Sequence, residues 1–210
     1  MSAKRSFLKI HIVLIILSSS FISIPASADY TQCMGCHLFG GKFFGYSSAP
    51  IELGYWSDPT IASYGYTHAV THAISQWTSQ AYIPSLNSTS ESSAKIKFYM
   101  GTLDPEVGGK VFFYEPGTNN DISNQVEFSD IGYNHAIVVI HHAFLSSLPQ
   151  YGPDLREAIV THETGHTLGV SHLSNSPPHT GDHVMNSGSL LKTLTTTDVQ
   201  HAQYKFLNDY

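Results

Sequence analysis

Residues 162 to 172 read His-Glu-Thr-Gly-His-Thr-Leu-Gly-Val-Ser-His, and the rest of the chain is interpreted outward from this run. His162 and His166 are four positions apart, so on a helix their imidazoles lie on one face about one turn apart. Both rings can then reach one metal ion at about 2.0–2.1 Å. Gly169 can adopt the left-handed conformation that ends a helix. The chain would then turn back and bring His172 to the same ion as a third ligand.

Three histidine ligands leave one coordination position open, which is typical of catalytic rather than structural zinc sites. A zinc ion lowers the pKa of a water molecule and polarises a carbonyl oxygen. Glu163 stands beside the first ligand, where it can take the water proton as general base and later pass it to a leaving amine. The run therefore predicts a catalytic zinc ion and hydrolysis of peptide bonds by a zinc-activated water.

The run also matches H-E-x-x-H-x-x-G-x-x-H, the signature of the metzincin zinc metalloproteases. The chain resembles this family, and within it the matrixin-like branch. Met185, thirteen positions after His172, matches the methionine of the family's Met-turn. The resemblance implies that Met185 forms an apolar floor beneath the ligands and does not bind the ion. It further implies a secreted zinc endopeptidase, a hydrolase whose substrates are proteins or peptides.

The fold that the resemblance implies is α+β, with a twisted mixed β-sheet, an active-site helix and a small C-terminal subdomain ending in a helix. Hydrophobic periodicity predicts helices over residues 66–79, 153–168 and 194–207, and strands over residues 94–100, 110–114 and 136–141. Thr197 or Asp198 is expected to cap the last helix.

Substrate recognition is also implied by the resemblance. In the family, an extended substrate pairs with an exposed edge strand of the sheet. The best candidates for that edge are residues 114–136. The pocket beside the zinc ion would be walled by residues 186–190. The chain departs from other branches at Ser187, where astacins and serralysins place a zinc-binding tyrosine, and it has no Pro-Arg-Cys-Gly switch.

Residues 1–28 have the pattern of a secretory signal peptide, with a basic start, an apolar run over residues 10–17 and a small-residue cleavage site at Ala26-Ser27-Ala28. Ser18 interrupts the apolar run well before the roughly 20 residues that a membrane span needs. We therefore expect residues 29–210 to form one secreted domain, extracellular or periplasmic, with no stable membrane anchor after cleavage and monomeric.

The charge balance bears on the choice of partner. The 210-residue chain has a formal charge of −6, with 10 basic and 16 acidic residues. Cleavage after Ala28 removes three basic residues and no acid, which changes the charge from −6 to −9. This balance excludes nucleic acid as an expected partner, because nucleic-acid binding requires a basic face.

The N-terminal segment 29–45 contains both cysteines, in Cys33-Met34-Gly35-Cys36-His37. A local disulfide is favoured in an oxidising compartment. Three other interpretations stay open: a thiolate that reaches the zinc ion and keeps the enzyme latent, covalent c-type haem attached at C-x-x-C-H, and a separate metal site.

Two other functions compete with the peptidase. One is a catalytically silent protein that binds zinc and peptides, against which the retained Glu163 speaks. The other is a c-type haem protein through Cys33, Cys36 and His37. Calcium sites are common in the family, but the pattern assigns none of the candidate acids: Asp104, Asp121, Asp130 and Asp182. His68 and His72 share a helix face with no carboxylate, so they are expected to be solvated or core-edge residues.

Overall fold

The computed structural model describes residues 38–43, 53–81, 86–126, 128–173 and 181–208. The expected signal peptide and the Cys33-Cys36-His37 motif lie outside these residues. Within the described ranges, no helix combines the length and the apolar character that crossing a membrane requires.

The described strands form two sheets. They are β1 (Lys42–Phe43), β2 (Leu53–Ser57), β3 (Leu86–Ser88), β4 (Ile96–Met100), β5 (Gly109–Tyr114), β6 (Gly132–Tyr133) and β7 (His135–Ile140). The larger sheet has the order β3-β2-β4-β7-β5, and its neighbours are parallel except for β5, which runs antiparallel to β7. The short strands β1 and β6 pair in parallel. The sheet is therefore mixed and mostly parallel.

The described helices lie between these strands and after the last of them. They are α1 (Pro59–Ser63), α2 (Thr67–Gln80), α3 (Ser123–Val126), α4 (His142–Ser146), α5 (Gly152–Thr167) and α6 (Thr196–Asn208), with a 3₁₀ turn at Pro149–Tyr151 before α5. The helices predicted over residues 66–79 and 153–168 are confirmed, each displaced by one residue at both ends. A five-stranded sheet combined with several helices agrees with the α+β class.

Helix α5 lies in the core of the molecule, because it packs against α2 and also contacts β5 and β7. The apolar face of α2 is buried as its spacing predicts, with Trp77 fully enclosed. The indole Nε1 of Trp77 donates a hydrogen bond to the carbonyl of Thr161 on α5, at 2.8 Å. The sheet buries its alternate residues, such as Phe98 and Val138, on one face. This packing fixes the position of α5 between α2 and the sheet.

The edge strand of the larger sheet differs from the expectation. The expectation that residues 114–136 supply the edge is wrong, because β5 (Gly109–Tyr114) itself is the last strand of the sheet. After Tyr114 the chain turns and folds back: the amide of Glu115 bonds to the carbonyl of Asn120, and α3 follows. The next long strand, β7, enters the sheet between β4 and β5. The apolar alternation of residues 110–114 predicts a strand, but it does not predict that β7 is its one neighbouring strand in the sheet.

Gly165 gives a test of this packing. A Cβ atom at position 165 would overlap the sulfur of Met185 and would lie 2.5 Å from Cζ2 of Trp77. Gly165→Ala should therefore lower the free energy of unfolding by about 2 kcal/mol through overpacking, although alanine favours helices by about 1 kcal/mol. Urea unfolding measures the change. Ser75→Ala, on the exposed side of α2, is the control and should stay within about 0.5 kcal/mol of the wild type. Equal stability of both variants would contradict the packing described for α5.

Candidate metal centre

The three histidines of the opening run converge. His162 and His166 are buried on α5, one turn apart, and α5 ends at Thr167. Gly169 has φ +86°, the left-handed conformation that reverses the chain. The reversal brings the more exposed His172 back, so that one nitrogen from each of the three rings lies within 4.8 Å of the others. Among the described residues this is the one group of three or more His, Cys, Asp or Glu side chains gathered in this way.

Hydrogen bonds to the backbone fix the protonation of the two buried rings. Nδ1 of His162 lies 2.7 Å from the carbonyl oxygen of Val184, and Nδ1 of His166 lies 2.8 Å from that of Val170. A carbonyl oxygen only accepts, so each Nδ1 carries the proton and each neutral ring has a bare lone pair at Nε2. Metal-binding histidines usually donate their other ring N–H to a carbonyl or carboxylate in this way, which fixes the orientation of the ring.

The bare nitrogens face one another. Nε2 of His162 lies 3.0 Å from Nε2 of His166 and 3.1 Å from Nε2 of His172. Two facing lone pairs repel each other unless a cation lies between them. A tetrahedral ion with bonds of about 2.0–2.1 Å would separate its nitrogen ligands by about 3.3 Å, within a few tenths of an ångström of these distances. The donor set therefore fits a metal ion, and the cluster could bind one.

Burial keeps the cluster in its metal-binding form. Burial lowers the pKa of His162 to about 4, against the raising effect of the hydrogen bond to Val184. Burial also holds the pKa of His166 well below its ordinary value, and the neighbouring His162 and His172 lower it further. Both rings are therefore neutral across the physiological range, as a metal ligand must be.

Glu163 lies beside the cluster at the junction of two cavities. One, of about 260 Å³, is lined by Glu163, His166 and His172 together with residues of β5. The other, of about 570 Å³, is also lined by Glu163 and His172. No described residue forms a hydrogen bond with the Glu163 carboxyl group, and burial raises its pKa to about 8. A group in this position can exchange a proton with a molecule bound in the cleft.

Met185 lies beneath α5 and is completely buried, with its sulfur against Gly165. The carbonyl of the preceding residue, Val184, is the acceptor for His162. The carbonyl of Met185 accepts from the amide of Leu173, which follows the third histidine. The turn at residues 184–185 therefore contacts both α5 and the segment that carries His172.

Asp198 on α6 holds this turn, a role that the sequence did not reveal. Its carboxylate is fully buried and accepts hydrogen bonds from the amides of Val184 and Met185, each at 3.1 Å. The same carboxylate accepts from the amide and hydroxyl of Thr195, both at 2.8 Å. Thr195 in turn accepts from the amide of Asp198, which is the reciprocal pattern of a capping box.

The expected cap of the last helix is therefore corrected. Thr195 caps α6, in place of Thr197 or Asp198, and α6 begins at Thr196. The spacing Thr-x-x-Asp over residues 195–198 is the sequence signal for this cap, because the two side chains bond to each other's backbone amides.

Other candidate ligands behave differently. The four aspartates considered for calcium, Asp104, Asp121, Asp130 and Asp182, do not gather into a group of three ligands with other described residues. His68 does have a carboxylate beside it, contrary to expectation: its Nδ1 lies 3.0 Å from Glu157 on α5. Glu157 also pairs with Lys192, at 3.1 Å. These contacts tie α2 and the segment after Met185 to α5.

No family model and no curated protein sequence matches the chain. Among solved structures, one similar chain belongs to the "GM1 bound form of the ECX AB5 holotoxin". That alignment covers 74% of this chain and 80% of that chain, with 12% sequence identity and a TM-score of 0.46. A likeness at this level supports no conclusion about fold or function.

Removing one ligand should weaken metal binding strongly. We expect the wild type to bind about one zinc ion per chain, and His166→Ala to lose at least about 100-fold in affinity, because two remaining imidazoles cannot fill the coordination sphere. Competition with a chromogenic chelator measures the affinity. His68→Ala, which removes a histidine outside the cluster, is the control and should bind zinc as the wild type does. Undiminished binding by His166→Ala would contradict the assignment of the ligands.

The raised pKa of Glu163 predicts a pH dependence of the metal-free protein. Between pH 4.5 and about 8 the unfolded chain has lost this proton while the folded chain retains it. Folding is therefore opposed more strongly as the pH rises through this range. From pH 6.5 to 8 the free energy of unfolding should fall by about 2 kcal/mol from this group alone.

Glu163→Gln should remove that part of the fall, since an amide does not titrate. Urea unfolding of both proteins with a chelator present, at pH 6.5 and at pH 8, makes the comparison. Identical losses in the two proteins would show that Glu163 is already ionised in the folded chain.

Proposed function

We propose that the protein is a secreted zinc-dependent endopeptidase of the metzincin type, which hydrolyses peptide bonds in protein or peptide substrates. The observation that carries this proposal is the position of Glu163. It is an acid without a described hydrogen-bond partner, beside three converging imidazole nitrogens and open to a cleft. A structural metal site would have no use for such an acid at its open side.

The three histidines and Glu163 would have separate roles in the hydrolysis. His162, His166 and His172 would hold the zinc ion, which supplies Lewis acidity and makes water acidic enough to deprotonate near neutral pH. The Glu163 carboxylate takes one proton from the attacking water as the oxygen adds to the peptide carbonyl carbon. The same group gives that proton to the nitrogen as the C–N bond breaks. The pKa of about 8 belongs to the metal-free chain. A bound cation would lower it and leave Glu163 ionised, ready to accept the water proton.

The outer edge of β5 supports binding of an extended substrate. In β5 the even-numbered residues face β7, as shown by the bond from His141 to the carbonyl of Gly108. The odd-numbered residues point their amides and carbonyls outward. At Phe113 these outward groups are taken by Ser123 and Ile122. At Gly109 and Val111 no described residue bonds to them, and both residues line the cleft beside Glu163. A peptide can add there as a further strand.

The larger cavity supports a preference for apolar side chains. Of its lining residues, Ser187 to Leu190 form one wall, as expected, whereas Asn186 does not line it. The cavity is also lined by five large apolar or aromatic side chains: Phe144, Leu148, Tyr151, Leu155 and Ile159. With a volume of about 570 Å³, the cavity has room for a large side chain next to the cleaved bond.

The metzincin assignment belongs to the same proposal. It is supported by the ligand-bearing helix, the left-handed Gly169 that ends it and the buried Met185 below it. Secretion is proposed from the sequence of residues 1–28 alone. The state of Cys33 and Cys36 stays a prediction from sequence, with a disulfide favoured.

The test is digestion of a peptide library by the purified protein, with and without a zinc chelator. We expect cleavage that the chelator abolishes, at sites with a large apolar residue beside the broken bond. Glu163→Gln should lower kcat/KM by about 10²–10⁴-fold because the proton acceptor is lost, while retaining about one zinc ion per chain.

Glu157→Gln is the matched control, since Glu157 is a buried glutamate of the same helix that faces His68 and Lys192. It should keep most of the activity. If the wild type binds zinc and cuts nothing, the protein is a silent zinc- or peptide-binding protein. An intense Soret absorption band would instead indicate haem at Cys33, Cys36 and His37. Full activity in Glu163→Gln would show that another group is the base.

A further inference from the structure

A short segment near the start of the described chain lies on the turn that follows α5. Leu38 forms an antiparallel bridge with Val170, and the amide of Phe39 donates to the carbonyl of Gly169 at 2.8 Å. Gly169 and Val170 form the reversal between the second and third histidines. The segment is therefore bonded to the part of the backbone that determines where His172 returns.

The side chain of Phe39 contacts a ligand directly. Its ring stacks on the imidazole of His166, with centroids 5.5 Å apart and planes inclined by 22°. Nδ1 of the same imidazole donates to Val170, the residue that Leu38 pairs with. Phe39 thus covers one face of the His166 ring, and Val170, which pairs with Leu38, binds its Nδ1 edge.

Lys205 of α6 binds this segment through a hydrogen bond. Its ammonium group donates to the carbonyl of Phe39 at 2.6 Å, although the side chain is fully buried. The stem packs so closely on Gly169 that a Cβ atom there would lie 2.7 Å from Cε of Lys205. Burying an ammonium group is costly unless it is hydrogen-bonded. The hydrogen bond to Phe39 therefore ties the start of the described chain to α6.

We propose that Phe39 and Lys205 together form a positioning clamp for the metal centre. The clamp holds the ring of His166 and the Gly169–Val170 turn in the geometry in which the three nitrogens converge. Neither residue is one of the three candidate ligands, and neither belongs to the His-Glu run or to the Met-turn. The clamp restricts the movement of the His166 ring and the turn. It would therefore slow the loss of the ion, whether or not a substrate is bound. It concerns metal retention, and it holds whether or not the protein is a peptidase.

The test measures how fast zinc passes from the loaded full-length protein to a chromogenic chelator. Phe39→Leu removes the ring and keeps an apolar side chain. Lys205→Met removes the charge and keeps the stem. Phe39→Tyr keeps the stacked ring. Phe98→Leu, a loss of a buried ring in β4, is the control for a general loss of stability. The free energy of unfolding with chelator present is measured for each variant.

We expect Phe39→Leu and Lys205→Met to speed zinc release by about 10–100-fold, as loss of outer-shell partners does. Phe39→Tyr should release zinc at close to the wild-type rate, and Phe98→Leu should change the rate less than about threefold even though its unfolding free energy falls. If Lys205→Met does not fold, the contrast between Phe39→Leu and Phe39→Tyr decides. Release from Phe39→Leu that is no faster than from Phe98→Leu overturns the clamp. Release at the wild-type rate by every variant would refute the clamp. Failure of the wild type to cut any peptide would refute the peptidase and leave the clamp standing.

Discussion

The Nε2 atom of His162 lies 3.0 Å from that of His166 and 3.1 Å from that of His172, and the contacts around the three rings keep these nitrogens together. The two buried rings are oriented by carbonyl groups of two turns, at Val184 and Val170, and not by other side chains. A buried charged residue of α6 holds each of these turns. Asp198 bonds directly to Val184, whereas Lys205 bonds to Phe39, whose amide bonds to Gly169. The last helix is thus joined to the ligands by two short series of hydrogen bonds.

This arrangement brings costs that the packing has to offset. A buried glutamate with no described partner and two buried imidazoles are all kept neutral by desolvation, which opposes folding relative to apolar residues of the same size. Trp77 and Met185 meet at Gly165, where the absence of a side chain lets both approach α5 closely. Burial of apolar surface of this kind is the favourable term that opposes the cost of the buried polar groups.

The parts that local sequence could predict are those that depend on spacing within one element. The i, i+4 pair of histidines and the apolar face of α2 follow from helical geometry, so α2 and α5 are found within one residue of their predicted ends. The left-handed Gly169 follows from the same logic. These features need no knowledge of which element packs on which.

Apart from the local Thr195 cap of α6, the features that the sequence missed depend on distant partners. Nothing in the residues of β5 states that it ends the sheet, since that depends on where β7 inserts. Asp198 has the same sequence signature as a helix cap, and its bonds to Val184 and Met185 are made across 13 and 14 residues of chain. The pairing of His68 with Glu157 joins two helices that are far apart along the chain. Tertiary packing decides such contacts, and a linear pattern does not encode them.

The fold-back of residues 120–123 onto β5 has a consequence for the behaviour of the protein at high concentration. Because Ser123 and Ile122 occupy the outward groups of Phe113, the exposed rim beside the cleft is reduced to the neighbourhood of Gly109 and Val111. A long bare rim would let copies of the chain join side by side into aggregates. A gap this short is too short to seed such growth, and under the proposed function it would still accept a few residues of a peptide.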